Sequence, residues 1–503
     1  MSGHIDLAFE FPRPHDDSAQ EADEGAPKRV AILGDFSGRG SPGRAPVAAP
    51  LAHRRLVAVD LDNFDAVLAR LAPEVRFAPV AAGPEVTLRI SQLDDFHPDH
   101  LYQELEVFQS LRRIRKRLLD TKTFAGAVQE LQRLAGMPAP PAAEAAAPAE
   151  LAAADANDVF RLLGIAPAAA TAAACRPTTV DALVARLVEE AVAPHVVAKA
   201  DPSQPMYVAA VDDAVSTQMR QVLHHPAFQA LEAAWRGLRW LISRIGSPEK
   251  VKLHLLDVTR EELVADFAAA EWDLEKTSLF RLLVEQQVQM VDGQPWSLLV
   301  GHCSFGATAD DLRLLAALGA LASQAGGAFL AAADSSLLGC RSLAQTPNPD
   351  DWKPLDTDVA RRWQALRRNP LAPWLGLALP RFMLRAPYGP RTERTEQFRF
   401  EELPNPCEHE AVLWGNPVLA CAYLALEGAA GGQLEIDDLP LFAYEEDGQE
   451  KLLPCAEVCL TERAFEALVD RGLMALLSFR DRDVVRLARL QSLADPPRPL
   501  AGA

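Results

Sequence analysis

WSLLVGHCSFGATADDLRLLAALGALASQAGGAFLAAAD, residues Trp296 to Asp334, decides the fold class. Its first ten residues are an apolar run of strand length. "DDLRLLAALGALASQ" carries a helical pattern, and "AFLAAAD" is a second short apolar run. Ser323, Gln324 and the Gly326/Gly327 pair interrupt the apolar region from Leu314 to Ala333, so the stretch reads as a buried helix followed by a strand and not as a membrane span. Upstream, "VKLHLLDV" is a strand and "TREELVADF" a capped helix. Strands and helices that alternate at this length predict an α/β sheet flanked by helices, mixed α/β and α+β in class.

Before this block, "LHHPAFQALEAAWRGLRWLISRI" places Phe228, Leu231, Trp235, Leu238, Ile242 and Ile245 on one helical stripe, with Pro226 at the helix start. His224 and His225 point apart on such a helix and have no nucleophile motif beside them. Asp257 and Asp334 stand at strand ends, where open-sheet enzymes place chemistry. Neither has a second carboxylate or phosphate loop near it in sequence, and helix capping is the reading taken.

The chain holds 503 residues with a formal charge of −19, 49% hydrophobic and 24% charged. Such a composition supports sizeable cores and argues against sequence-independent binding to nucleic acid or anionic membrane. Seven scattered cysteines, mostly in apolar runs, read as reduced core residues of a cytosolic protein. Cys455 and Cys459 lack paired His spacing for zinc. No secretory signal is read at the N-terminus.

From Met137 to Ala174 the sequence is almost all Ala and Pro. It reads as a semi-extended tether joining two well-patterned halves, like two gene products fused end to end. The boundaries expected are a first domain at 1–136, a linker at 137–177, a second domain at 178–495 and a disordered tail at 496–503. Within the linker, Val159, Phe160, Leu162, Leu163 and Ile165 follow a capping Asn157 or Asp158 and form a candidate partner-docking helix; packing back on its own domain is the alternative.

In the first half, Ile5, Leu7, Phe9 and Phe11 alternate with polar or small residues, a candidate strand arm for a neighbouring subunit or an ordinary edge strand. "RVAILGDFSGRG" is a strand ending in a glycine-rich turn. Gly38, Gly40 and Gly43 have dinucleotide-fingerprint spacing, with Asp60 about twenty residues beyond. Three prolines follow where a phosphate site needs a helix N-terminus, so a loop between strands is the preferred reading. Asp62 is the expected cap of a helix carrying Phe64, Val67, Leu68 and Leu71. Asp94, Asp95, His97, Asp99 and His100 include metal-ligand types, but their spacing around Pro98 fits a helix start, followed by a stripe of Leu101, Leu105, Phe108, Leu111, Ile114 and Leu118. No catalytic, metal or cofactor residue is assigned.

"RVAILGDFSGR", "VDLDNFDAVLARLAPEV" and "LDDFHPDHLYQELEVFQSLRRIRKRLL" resemble, in order, the small subunit of the type VI secretion contractile sheath. "LHHPAFQALEAAWRGLRWLI", the Ser304–Gly339 block, "LALPRFMLRAPYGP" with "EQFRFEE", and "VLWGNPVLACAYL" resemble the large subunit. After that last block "AAGGQLEIDDLP" follows almost at once, as though part of the family's C-terminal region were deleted. The resemblance implies two sheath-type domains with mixed sheets and a structural, non-enzymatic protomer. It further implies self-assembly into rings or tubes around an inner-tube protein, contraction that drives effector delivery, baseplate partners and a recycling ATPase as a further candidate partner. The place implied is the bacterial cytoplasm beside a membrane-anchored apparatus, with no nucleic acid bound and no membrane insertion. Two alternatives stand beside it: an accessory sheath-like baseplate, cap or assembly protein that does not polymerise and, remotely, a nucleotide-binding enzyme.

Overall fold

A computed structural model describes residues 27–40, 51–78, 85–134, 202–404, 408–427, 434–446 and 449–502. The candidate arm Ile5–Phe11 and the linker segment Val159–Ile165 lie outside these residues, as does Gly43. The chain forms two compact units: residues 1–96, 223–388 and 403–503 make one, and residues 97–222 with 389–402 the other. Their bounds do not follow the Ala/Pro stretch.

The larger unit is built on a nine-stranded mixed sheet, and the α/β class expected from the sequence is what is observed. Its strands are β1 (Lys28–Gly34), β2 (Val57–Val59), β5 (Val251–Asp257), β6 (Leu298–Phe305), β7 (Ala328–Ala333), β8 (Leu375–Leu379), β11 (Glu435–Ile436), β14 (Met474–Ser478) and β15 (Val485–Leu487). Three two-stranded pairs complete it: β3 (Glu74–Phe77) with β4 (Val86–Arg89), β9 (Phe382–Met383) with β10 (Trp414–Gly415), and β12 (Phe442–Glu446) with β13 (Gln449–Leu453). The sheet order is β11-β15-β14-β8-β7-β6-β1-β5-β2. Six neighbours from β14 to β5 run parallel, and antiparallel β15, β11 and β2 finish the edges.

Helices cover both faces, which is why the central strands read as continuous apolar runs. Among the described residues the helices of seven residues or more are α1 (Phe64–Leu71), α2 (Pro98–Glu104), α3 (Gln109–Leu119), α4 (Phe124–Leu134), α5 (Gln204–Leu223), α6 (Pro226–Ile245), α7 (Arg260–Ala269), α8 (Ala309–Ala325), α9 (Thr357–Arg368), α10 (Pro417–Glu427) and α11 (Glu462–Asp470). On one face Leu263 and Phe267 of α7, Leu314, Leu318 and Leu321 of α8, and Trp363 of α9 pack with Ala31, Leu33, Leu299 and Leu377 of the strands. On the other, α10 packs on β6, β7 and β8 and against α6. Within that face the buried Glu232 of α6 holds Arg236 and Arg385 at 2.6 and 2.9 Å, while Arg236 also meets the Tyr388 hydroxyl at 3.0 Å. This network ties "LRAPYGP" to the helix.

The smaller unit gathers α2, α3, α4 and most of α5. Arg115 pairs with Asp212 at 2.6 Å, Gln204 donates to the Leu118 carbonyl at 2.6 Å, and Phe124 meets Tyr207 edge-on. Asp99 accepts from the amides of Glu396 and Gln397, so residues 389–402 belong here.

Four expectations change. The single stripe from Leu101 to Leu118 is two helices, because Leu105 adopts an extended conformation (φ −73°, ψ 129°) and a short 3-10 turn follows. The cap of α1 falls at Asn63, since the Asp60 carboxylate takes the amides of Asp62 and Asn63 and forms the turn before the helix. Asp257 is not a helix cap; Thr259 caps α7 with a full capping box. Residues 496–502 are packed: Leu500 is 7% exposed, Ser492 donates to the Arg498 carbonyl through both its amide and its hydroxyl, and Ala501 donates to Pro373. A proline-rich tail looked unable to order, but one buried Leu and three backbone-directed bonds suffice. Asp334 does cap, accepting from Ser336 at 2.9 Å.

Candidate functional site: the strand that joins the two halves

β5 and β6 follow one another in the second half, and a crossover helix between them would ordinarily make them neighbours. Instead β1, from the first half, lies between them. All seven of its residues pair with Val251–Asp257, and Val30–Leu33 pair with Leu298–Gly301. Lys28 donates to Lys250 at 2.8 Å, Ser297 to Arg29 at 2.8 Å and Val258 to Gly34 at 2.9 Å, closing both ends of the ladder. Val30, Ala31 and Ile32 have no exposed surface. Arg29 lies over the Trp296 ring at 4.3 Å and donates to Gln294 at 2.5 Å. Gly34 is required by close approach, because a Cβ there would sit 2.9 Å from the His302 Cβ.

The glycine-rich turn after β1 is fixed to the end of β5 by charge. Asp257 Oδ1 accepts from the amides of Phe36 and Ser37 at 3.0 and 3.1 Å, and its Oδ2 takes Arg39 Nη1 at 2.6 Å. Arg39 and Arg54 both donate to the Asp257 carbonyl at 2.8 Å, and Arg54 pairs with Glu262 of α7. Burial raises the Glu262 carboxyl, but its bonds from Arg54 and the Thr259 amide outweigh this and hold it below the usual range. Asp35 accepts from the amides of Arg39 and Gly40 at 2.8 and 2.7 Å; burial pushes its carboxyl up. Gly38 turns at φ +72°, where an added Cβ would meet the Glu74 carbonyl.

Above this turn Trp235 of α6 donates from Nε1 to the Phe36 carbonyl at 2.8 Å, with its ring edge-on to Phe36 at 5.5 Å and Phe64 at 5.7 Å. Three histidines of the second half border the first. His254 is the register partner of Ala31, His302 has its ring 6.0 Å from Phe36, and His225 stacks on Phe77 at 4.4 Å. Burial holds His225 and His254 below the usual histidine range, and pushes His302 down to about 4. His225 also caps α6, its Nδ1 accepting from Ala227 at 3.3 Å, and His97 caps α2 in the same way. Sequence reasoning missed this role; the signal was His-Pro at a helix start, repeated at 97–98 and 225–226.

A crevice of about 1040 Å³ opens at the carboxyl ends of β1, β6 and β7, bordered by Asp35, Gly38, His302 and Asp334. Open parallel sheets bind nucleotides at such a place. Here the four amides that would cradle a phosphate are already committed to Asp257 and Asp35, and a phosphate would face both carboxylates. Asp60, the acidic member of the apparent fingerprint, ends a strand separated from β1 by β5. Its carboxylate starts α1 instead. Burial pushes the Cys303 and Cys421 thiols up to about 12, far from a reactive thiolate.

What the arrangement can do is hold. Asp257→Ala removes the acceptor of two amides and the closest partner of Arg39, leaving that guanidinium the backbone carbonyl of position 257 and the longer 3.4 Å pair with Glu262. Breaking a largely buried charge pair of this kind is expected to cost about 3 kcal/mol, read as a lower urea midpoint at unchanged slope. A change below about 0.5 kcal/mol, the size of an exposed pair, contradicts the assignment.

The chain matches the family described as VipB, tail sheath N-terminal domain, over residues 206–494, and that described as VipA of the type VI secretion system over residues 13–136. It is 28% identical over 306 residues to the type VI secretion system sheath protein TssC1 of Pseudomonas aeruginosa, covering 58% of this chain and 61% of that protein. The intercalated strand therefore lies in the small-subunit match and its two flanking strands in the large-subunit match. The chain belongs to the type VI secretion tail sheath family, with both kinds of sheath subunit fused in one polypeptide.

Proposed function

We propose that this chain is a self-assembling sheath protomer, which polymerises around an inner tube and contracts to drive it outward. The observation that carries this reading is β1 seated between β5 and β6. Contraction needs bistable contacts between protomers and none within one. A strand hydrogen-bonded on both sides keeps segments from both halves together while the outer surfaces repack. The work comes from that repacking, and the role is mechanical rather than catalytic.

In this reading residues 1–136 descend from a small subunit and 178–495 from a large one. The 137–177 linker replaces a two-chain association, fixing a one-to-one ratio and raising the local concentration of one half near the other to about millimolar. Inner-tube and baseplate proteins are the partners. The Val159–Ile165 segment is offered to a recycling ATPase, and the assembly sits in the cytoplasm against a membrane-anchored apparatus. Ile5, Leu7, Phe9 and Phe11 form an arm that adds a strand to a neighbour, since main-chain bonds persist while side-chain contacts change.

Electron microscopy of the purified protein is expected to show hollow tubes. Deleting residues 1–12 should leave a folded, soluble protomer that forms none. Tubes without the arm would refute its role, and persistent single protomers from the full chain would favour the accessory reading.

A further inference from the structure

The loop before β6 presents an apolar tip to solvent that the fold itself does not use. Met290 is 62% exposed and Val291 fully exposed, the two most exposed large apolar side chains among the described residues. Single apolar residues on a surface are ordinary, but here two adjacent ones stand on a braced turn. The Gly293 amide donates to the Met290 carbonyl at 2.8 Å, and the Gln294 amide to the Gln287 carbonyl at 3.1 Å. Arg29 of β1 braces the same turn through Gln287 Oε1 at 2.6 Å and the Gln294 carbonyl at 2.5 Å. A tip already held in one shape loses little conformational entropy when it binds. Beside it Asp292 is exposed and has no cationic partner among the described residues.

The complementary feature is a groove of about 290 Å³ between α8 and α9, lined by Leu312, Ala316, Ala365 and Leu366. Three charged residues border it: Asp310, Arg313 and Arg362. Asp310 lies in the first turn of α8, where a carboxylate complements the helix dipole, and Arg362 is paired with Asp358 at 3.1 Å. Arg313 is exposed, lies over the Trp272 ring at 3.9 Å, and has no acidic partner among the described residues. An apolar slot beside one available cation matches an apolar tip beside one available carboxylate. The two features stand at opposite ends of α8, which is about 25 Å long. Trp296, just after the tip, donates its amide to the Ala325 carbonyl at the last turn, whereas the groove takes Leu312, Arg313 and Ala316 from the first half. With Val291 fully exposed, the tip does not fill the groove of its own protomer.

We propose that Met290 and Val291 of one copy insert into the α8–α9 groove of a second copy, with Asp292 against Arg313. The contact rests on the self-assembly reading and specifies an anchor of one of its interfaces. Because tip and groove are different surfaces at opposite ends of one helix, the contact is heterologous, and it propagates head to tail into a ring or a helical array. The apolar pair supplies the affinity, as a buried anchor does in other interfaces, and the charge pair sets the register.

The test uses the full chain, sedimentation for association of any order, and electron microscopy for tubes. Met290→Ser with Val291→Ser should raise the concentration needed for association at least about tenfold with circular dichroism unchanged, since burying either side chain is worth that factor or more. Ala365→Glu, at an exposed position on the groove, should do the same from the other side. Asp292→Arg and Arg313→Glu should each weaken association about fivefold, and their combination should return it to within about twofold of the wild type, a pairwise coupling that misfolding cannot mimic. Unaltered association of the serine variant, or failure of the combined charge swap to restore it, overturns the contact; if tubes still form, something other than a second copy fills the groove. A wild type that never associates overturns the self-assembly reading and the contact with it. Association with charge-swap rescue but no tubes keeps the contact and overturns the sheath-polymer reading.

Discussion

Trp235→Ala is expected to lower the unfolding free energy of the larger unit by about 4 kcal/mol. Trp235 has no exposed surface, so its loss leaves a cavity in contact with Phe36 and Phe64 of the first half. It also strands the Phe36 carbonyl, which accepts the indole N–H at 2.8 Å. Trp235→Phe separates the two contributions: most of the ring volume stays and only the buried hydrogen bond goes, for a loss of about 1–2 kcal/mol. Urea unfolding followed by far-ultraviolet circular dichroism gives both values from the midpoint shift. A second measurement ties the effect to the joint between halves. With a protease site placed in the 137–177 linker, the cleaved wild type should remain one species on gel filtration, whereas cleaved Trp235→Ala should release fragments. If the alanine variant loses less than about 1 kcal/mol, Trp235 is not the anchor described.

Much of the second half was legible because its signals are local. β5, β6, α8 and β7 were read as a strand, strand, helix and strand from runs of the right length, and the Trp235 stripe from its helical spacing. The first half was legible in part. "RVAILG" reads as an apolar strand, but apolarity on both faces says only that a strand is central, not between which neighbours it sits. Its partners Val251–Asp257 lie more than two hundred residues away, and no periodicity in a single sequence spans that distance. The Gly38 turn misled for a related reason. A nucleotide loop and a carboxylate-satisfied loop need the same glycine and the same strand before it. What differs is who accepts the amides, and Asp257 comes from a distant strand. The sequence marks Asp257 only as a strand-end acid suited to capping, because its acceptor geometry toward Phe36 and Ser37 has no local trace. The alternation of Ile5 to Phe11 and the linker stripe from Val159 were equally clear as patterns, and their roles are left to the assembly experiments above.

The joint should also weaken in mild acid. The sign follows from which state holds the proton. His302 is neutral in the folded protein until about pH 4, because burial disfavours its charged form. In the unfolded chain it takes a proton near pH 6.5. Above that pH both states are neutral, and the stability is fully present. As pH falls from 6.5 toward 4 the unfolded state alone binds a proton, and stability drops by about 1.4 kcal/mol per pH unit for this one group. Between pH 6.5 and 5 the loss is about 2 kcal/mol from His302. His254 and His225 add in the same direction, because burial lowers both. Glu410, held at about 2 by its bond to His409 and then by Arg381, adds its loss only below its usual range, while Asp35, raised by burial, takes up its proton above its own usual range and there opposes the histidines. Comparing a His302 variant with the wild type from pH 7 to 5 isolates this histidine, because the raised carboxyl of Asp35 is common to both proteins. His302→Gln should start less stable at pH 7, since the site is shaped around an imidazole, yet lose about 2 kcal/mol less than the wild type across that window. Equal slopes for the two proteins would show that His302 keeps its ordinary proton affinity, and that the space beneath Gly34 and Phe36 admits water.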